Sequence, residues 1–265
     1  MRTAAHHPLE LSLAPRLRAG ETLRGLFNGI PSPALVEMCG HAGFDFVVLD
    51  NEHGSADLQT TEHQLRAARA VGLPALVRCF EADIPRVLDM GAAGVVVPMV
   101  QDAAQAQRLA TMTSYPAADT PWGRRGSAFS TRAAGYGAFG GAAHTERSNA
   151  GLLLVVMVET PEAAAHAVEI AQVPGVDAVF VGPNDLAHAM GHGPRWQDGP
   201  AQALIRQVLR EVAGAGRCAG TLALTAADEA RYAACGARFF ANVSTSLITQ
   251  ALQAAARGGD AAVSY

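Results

Sequence analysis

Leu152-Leu153-Leu154-Val155-Val156-Met157-Val158-Glu159-Thr160-Pro161 decides how this chain folds. The run from Leu152 to Val158 is apolar throughout, with no polar residue at every second place. A strand of that kind is buried on both faces, as in a parallel sheet covered by helices. Glu159 closes it, and Pro161 opens a helical pattern that runs to Val173. A second apolar run, Ala178–Gly182, ends alike: Gly182-Pro183-Asn184-Asp185 delivers a carboxylate where the next helix begins. In α/β proteins the edge where strands give way to helices is where chemistry is done. Two carboxylates on that edge, Glu159 and Asp185, suit a hard divalent cation held by oxygen ligands.

Working outward, six further runs read as strands: Thr22–Asn28, Asp45–Asp50, Pro74–Arg78, Gly94–Pro98, Arg217–Ala223 and Arg238–Asn242. Helical patterns lie between and after them at Pro33–Ala42, Ala56–Val71, Ile84–Met90, Ala103–Thr113, Pro161–Val173, Gln202–Ala215, Ala226–Cys235 and Ser244–Ala256. Stop and start signals agree, with Ser32-Pro33 before the first helix and Gly72, Gly91 and Gly236 after later ones. Eight strands, each followed by a helix, over 265 residues is the count of a (β/α)8 TIM barrel in a single domain. A doubly wound sheet is the competing α/β fold. Against it, no G-x-G-x-x-G follows the first strand, and polar strand ends are spread along the whole chain. Residues 1–20 read as a short helical extension closing the barrel bottom. Residues 114–150 read as a long active-site loop, since connections of that length are usually functional. It carries Gly123-Arg124-Arg125-Gly126 and Arg132.

Bulk properties narrow the function. Net charge is −4 and no basic run occurs, which argues against nucleic acid as a partner. No apolar run is long enough to span a bilayer, and Met1–Arg18 lacks a secretory signal pattern. The four cysteines are widely spaced, which suits neither a zinc site nor a disulfide framework. A cytoplasmic location follows as the expectation.

Other strand ends carry chemistry too. Phe46–Asp50 runs into Asn51-Glu52-His53-Gly54, and histidine is the natural general base near neutral pH. The plainer reading is a polar loop in which Asp50 caps the next helix. Ala75-Leu76-Val77 ends in Arg78, which can grip a carboxylate or stabilise a developing oxyanion. Its plainer reading is a salt bridge to Glu52 or Asp89. Asp89 itself falls beside a helix-ending glycine, where solvent exposure is the default. The turn Gly182-Pro183-Asn184-Asp185 offers backbone N–H groups at Asn184 and Asp185 for a substrate carboxylate. Asp185 could instead cap the helix after it. His188, His192, His41, His63, His144 and His166 read as surface or packing residues, and the cysteines as small buried hydrophobes.

Taken in order, Gly25-Leu26-Phe27, Asp50-Asn51-Glu52-His53, Val77-Arg78, Val96-Val97-Pro98-Met99-Val100, Gly123-Arg124-Arg125-Gly126, Val158-Glu159 and Val181-Gly182-Pro183-Asn184-Asp185-Leu186 closely resemble the HpcH/HpaI aldolase family. The resemblance runs from about Leu23 to Leu247. It implies a barrel of the phosphoenolpyruvate/pyruvate type, commonly hexameric, using Mg²⁺, Mn²⁺ or Co²⁺ as cofactor. It implies a class II aldolase that splits a 4-hydroxy-2-keto acid into pyruvate, or a related 2-keto acid such as hydroxypyruvate, plus an aldehyde. Carried over, Glu159 and Asp185 match the metal ligands and His53 the base, acting through a water. Asp89 matches the group that raises the basicity of that histidine. Arg78 matches the oxyanion stabiliser. Gly182, Pro183, Asn184 and Asp185, with Arg78, match the substrate-binding positions. One departure is Met157, where the family often has a hydrogen-bonding glutamine; another is the segment between Arg78 and Asp89, which is a few residues short. Two other functions compete: a citryl- or malyl-CoA lyase-like enzyme, for which no basic nucleotide cluster is visible, and a non-catalytic keto-acid-binding barrel.

Overall fold

The structure is a computed structural model that describes residues 7–258. Eight parallel strands follow one another round a closed barrel: β1 Leu23–Asn28, β2 Phe46–Asp50, β3 Ala75–Arg78, β4 Gly94–Val97, β5 Leu153–Val158, β6 Ala178–Val181, β7 Cys218–Leu222 and β8 Phe239–Val243. β8 pairs with β1 from Leu23↔Phe239 to Phe27↔Val243, so the sheet has no edge and the doubly wound alternative falls. Each expected strand is present, its ends moved by no more than one residue.

The uninterrupted apolar runs have a direct cause. Along β5, Leu153, Val155 and Met157 fill the barrel interior, while Leu154, Val156 and Val158 face the helices. β2 does the same with Phe46 and Val48 inside and Val47 and Leu49 outside. Both faces are dry, so nothing polar is needed at either period-2 position. Inside, Phe46 stacks on Phe239 with ring centroids 4.4 Å apart. Gly25 makes room for that ring, since a Cβ there would come within 2.2 Å of it. Helix starts follow side-chain chemistry: Ser32, Asp57, Asp102, Thr160 and Thr225 each accept a backbone N–H from the first turn of the helix they precede.

Some expectations need correction. The pattern Pro161–Val173 forms two helices, Pro161–Ala165 and Ala167–Gln172, because His166 (φ −103°, ψ 6°) leaves helical geometry. The helix expected from Gln202 is Gly199–Gly214. It starts earlier because Pro200 sits at its first turn, where a missing N–H costs nothing. The helix after β6 is Pro183–Ala189, with Gly182 in the cap position, so Asp185 lies in its first turn and does not cap it.

The expected N-terminal extension contains the helix Leu13–Arg18, which buries Leu13, Ala14 and Leu17 among the interior residues of the barrel. Residues 1–6 of that extension, and 259–265 of the expected domain, lie outside the described residues.

The largest correction concerns residues 114–150. This segment joins the end of the helix Ala103–Thr113 to the start of β5 and holds a 3-10 helix, Arg132–Gly137, and most of the helix Ala142–Gly151. Helices in a barrel run back against the strands. Within the chain the segment therefore lies at the end where strands begin, opposite the catalytic edge, and it is not an active-site loop there. Its arginines are engaged at that end. Arg125 is buried, pairs with Asp89 at 3.0 Å and lies 4.6 Å over the ring of Tyr115. Arg124 donates to the carbonyls of Pro121 and Gly123, and Arg132 to that of Met90. No helix among the described residues is long and apolar enough to cross a membrane.

Candidate active site

The period of two that fills the barrel also builds the site. The inward series on β5 continues from Met157 to Glu159, on β2 from Val48 to Asp50 and on β3 from Leu76 to Arg78. Each polar group lands at the C-terminal mouth, around a cavity of about 400 Å³. Asp50, His53, Arg78, Glu159, Asn184 and Asp185 line it together. Gly182, Pro183 and Met157 line it as well.

Register sets Asp50 directly beside Arg78 on neighbouring strands. The two meet fork to fork: Arg78 Nε donates to Asp50 Oδ1 at 2.9 Å and Nη2 to Oδ2 at 2.5 Å. This geometry fixes the guanidinium plane as well as its charge. Asp50 also accepts the N–H groups of Glu52 (3.1 Å) and His53 (3.2 Å), folding the loop back over the strand end. Gly54 completes the fold-back, for a Cβ there would sit 2.1 Å from the Asp50 carbonyl. Burial alone would push the Asp50 carboxyl up, but the hydrogen bonds and charge of Arg78 outweigh it and hold Asp50 below its ordinary range. Arg78 is buried too. Burial works against its charge, yet Asp50 and then Glu52 keep its pKa above the ordinary arginine value. The guanidinium also lies over the aromatic ring of Phe27, whose centre is 5.0 Å from its central carbon.

Glu52 lies between the two catalytic candidates. Its Oε2 is 3.1 Å from Arg78 Nη1 and 3.7 Å from His53 Nε2, yet makes no hydrogen bond. Burial raises its pKa, and Arg78 only partly offsets this.

Glu159 is 2% exposed. Its Oε2 accepts the backbone N–H of Met99 at 2.7 Å. On its other side, a Cβ on Gly182 would come within 2.4 Å of Oε1, so only glycine leaves that oxygen its space. Burial pushes the Glu159 carboxyl up to about 7; the Met99 hydrogen bond opposes this, and the charges of Asp185 and Glu52 add to it. Asp185 is exposed at the mouth in the first turn of Pro183–Ala189. The N–H groups of Asn184 and Asp185 have no partner within that helix, as first-turn donors never do.

A divalent cation fits these residues. Burial, with the charges of Asp185 and Glu52, raises the pKa of Glu159, so a cation placed between these carboxylates would relieve it. The donors are hard oxygens, as Mg²⁺ or Mn²⁺ prefer. Among the described residues no group of three His, Cys, Asp or Glu could hold a metal. A pair of carboxylates leaves the remaining positions to water and substrate oxygens.

Asp89 is corrected. It ends the helix Ile84–Asp89, whose C-terminus returns towards the start of β4, and it pairs with Arg125. Within the chain it is not brought to His53; the carboxylate near that ring is Glu52. The distinction was invisible in sequence because it depends on which end of the barrel each segment reaches. In sequence Asp50 reads as a loop or capping carboxylate, and only strand register reveals it as the partner of Arg78. All four cysteines are buried and unpaired, with burial pushing Cys79 up to about 12.

A closed parallel barrel with two carboxylates, a clamped arginine and a histidine gathered at its C-terminal mouth defines a barrel enzyme. The chain belongs to the HpcH/HpaI aldolase/citrate lyase family, whose pattern it matches over residues 23–249. It is 37% identical over 240 residues to the hydroxypyruvate/pyruvate aldolase of Delftia acidovorans, covering 89% of this chain and 87% of that one. It is 34% identical over 241 residues to the 2-keto-3-deoxy-L-rhamnonate aldolase of Salmonella gallinarum, covering 89% and 88%. An HpcH/HpaI aldolase/citrate lyase family protein from Burkholderia cenocepacia superposes with a TM-score of 0.87 at 31% identity, over 94% of this chain and 98% of that one. The chain is accordingly an enzyme of the aldolase and lyase type.

Proposed function

We propose that this chain is a class II aldolase, an aldehyde-lyase that reversibly cleaves a 4-hydroxy-2-keto acid to pyruvate, or a close relative such as hydroxypyruvate, and an aldehyde. The observation that carries the reading is Glu159: a buried carboxylate pushed up to about 7, with Asp185 close by and His53 and Arg78 lining the same cavity. The sequence supports a metal route in another way. All 20 basic side chains, lysine and arginine together, are arginine. A Schiff-base mechanism needs a lysine amine, and this chain has none to supply.

Glu159 and Asp185 would hold Mg²⁺, Mn²⁺ or Co²⁺, which when bound would supply Lewis-acid polarisation of the keto-acid oxygens. The first-turn N–H groups of Asn184 and Asp185 receive the carboxylate of the keto acid. His53, through a water, takes the proton of the 4-hydroxyl. The C3–C4 bond then breaks, the aldehyde leaves, and the bonding pair passes through C3 to the C2 oxygen as an enolate. Arg78, its plane fixed by Asp50, places positive charge on the developing oxyanion. Return of that proton from His53, through the water, to C3 completes pyruvate.

Protein treated with EDTA and desalted should lose retro-aldol activity and regain it on addition of Mn²⁺ or Mg²⁺. Undiminished turnover in the stripped protein would remove the metal from the reading. A second expected result concerns Met157, which lines the cavity without a donor. Met157→Gln should lower KM for the 2-keto acid about 2- to 10-fold by adding one hydrogen bond, with a smaller change in kcat. Steady-state kinetics in the aldol direction checks it, and an unchanged or higher KM in folded protein would contradict it.

A cytoplasmic homo-oligomer, hexameric by resemblance to the family, completes the proposal. Four unpaired cysteines suit a reducing compartment. The closing helix Ser244–Ala256 buries only Ser244 and leaves Leu247 and Leu252 exposed, which supports contact with a second copy.

A further inference from the structure

At the catalytic mouth one residue other than glycine has a left-handed backbone: Met99, with φ 56°. Side chains rarely enter that region, because Cβ crowds the following carbonyl. The Met99 side chain is 44% exposed, so its packing does not impose the conformation. Hydrogen bonds do. The Met99 N–H donates to Glu159 Oε2 at 2.7 Å, and the Met99 carbonyl accepts from Gln101 Nε2 at 3.0 Å. The Gln101 side-chain oxygen accepts the Thr160 hydroxyl at 3.0 Å, and the Gln101 N–H donates to Gln105 Oε1 at 2.9 Å. The Val100 N–H donates to the Met157 carbonyl at 3.1 Å. Gln101 thus stitches the end of β4 to the residue that follows Glu159, with Met99 held between them. A backbone kept in a sparsely populated region by its surroundings marks a site whose geometry matters.

We infer that the left-handed backbone of Met99, locked by Gln101, is a positioning device for Glu159. It aims an N–H at one carboxylate oxygen and leaves the other, beside Gly182, for the cation. Met99 and Gln101 are positioning residues: neither touches the reacting atoms. The inference rests on Glu159 being a metal ligand, and groups hydrogen-bonded to ligands commonly set affinity by 10- to 100-fold.

The test is Mn²⁺ binding to the stripped full-length protein, followed by calorimetry or by the electron paramagnetic resonance of free Mn²⁺. Each variant is paired with a thermal melt. Three variants are compared: Met99→Ile, whose β-branched side chain resists a positive φ; Met99→Asn, whose side chain tolerates it; and Gln101→Leu, which cuts both side-chain bonds. Met99→Ile and Gln101→Leu should weaken Mn²⁺ binding by about 10-fold or more, with Met99→Asn losing clearly less. That ordering would support the inference, because an exposed side chain acting through packing would not follow backbone tolerance. Equal Mn²⁺ affinity in wild type and all three variants would overturn it and leave Glu159 as a ligand untouched. Should Gln101→Leu fail to fold, the two exposed Met99 variants still decide. Absence of Mn²⁺ binding in the wild type would overturn the metal reading itself, and this inference with it.

Discussion

Arg78→Ala is expected to lower kcat for retro-aldol cleavage by about 10²–10³, the loss seen when one preorganised oxyanion donor is removed. The geometry explains why the loss should fall on kcat. Asp50 holds Nε and Nη2 in a two-point clamp, so the guanidinium is set before substrate arrives and needs no reorganisation as charge develops. The same variant should be less stable by about 3–5 kcal/mol, because Asp50 and Glu52 are left buried beside no counter-charge. Activity and stability are separated by two further proteins. Arg78→Lys keeps the charge but not the fork, so it should recover stability more than kcat. Asp50→Asn keeps the arginine but loosens its plane, so it should lower kcat while KM changes less. Thermal melts alongside steady-state kinetics check all three. Arg78→Ala with wild-type kcat would remove the arginine from the chemistry.

Glu159→Gln is expected to abolish Mn²⁺ binding and turnover, and to make the metal-free protein more stable at alkaline pH. The second effect follows from linkage. Glu159 has its pKa raised from 4.5 to about 7 by burial, with Asp185 and Glu52 adding to it. A group with a raised folded-state pKa contributes stability that is fully present below about 4.5. That contribution is lost as pH rises through about 7. Over the whole window the loss is about 3 kcal/mol by the conversion of pKa difference to free energy. Glutamine cannot ionise, so the variant should lack this slope, while groups common to both proteins that do not interact with Glu159 cancel in the comparison. Denaturant titrations of the metal-free proteins at pH 5 and pH 8 check it: the variant should gain on the wild type between the two. Parallel curves at both pH values would show that Glu159 carries no such penalty. In the wild type a cation and a proton compete for this carboxylate, so apparent Mn²⁺ affinity should also climb as pH rises towards 7 and flatten above it. A carboxylate proposed to hold the cation is thus one that costs the metal-free fold stability.

Most of the barrel was legible because its signals are local. Apolar runs such as Leu152–Val158 recur eight times, and helix caps such as Ser32 and Asp102 and glycine stops such as Gly72 mark the segments between them. Strand ends therefore came out within a residue, and Arg78, Glu159 and Asp185, expected at the strand ends, line one cavity at the mouth. What the sequence left open was non-local. Asp89 and the arginines of residues 114–150 are close in pattern to active-site residues. Their place is set by which end of the barrel their connection reaches, and that follows from chain direction in three dimensions. The fork between Asp50 and Arg78 depends on register between β2 and β3, which no spacing along the chain encodes.

The sequence by itself determined the fold and the mouth at which its polar strand ends gather, Glu159 and Asp185 among them, because strand period, burial and helix caps are properties of neighbouring residues. Only the tertiary structure decided the partners: Asp50 with Arg78, Met99 with Glu159, and Asp89 with Arg125. Each of these pairs is made by closure of the sheet or by packing of distant segments. Hydrogen bonds of a few ångströms are fixed by those geometries and not by separation along the chain.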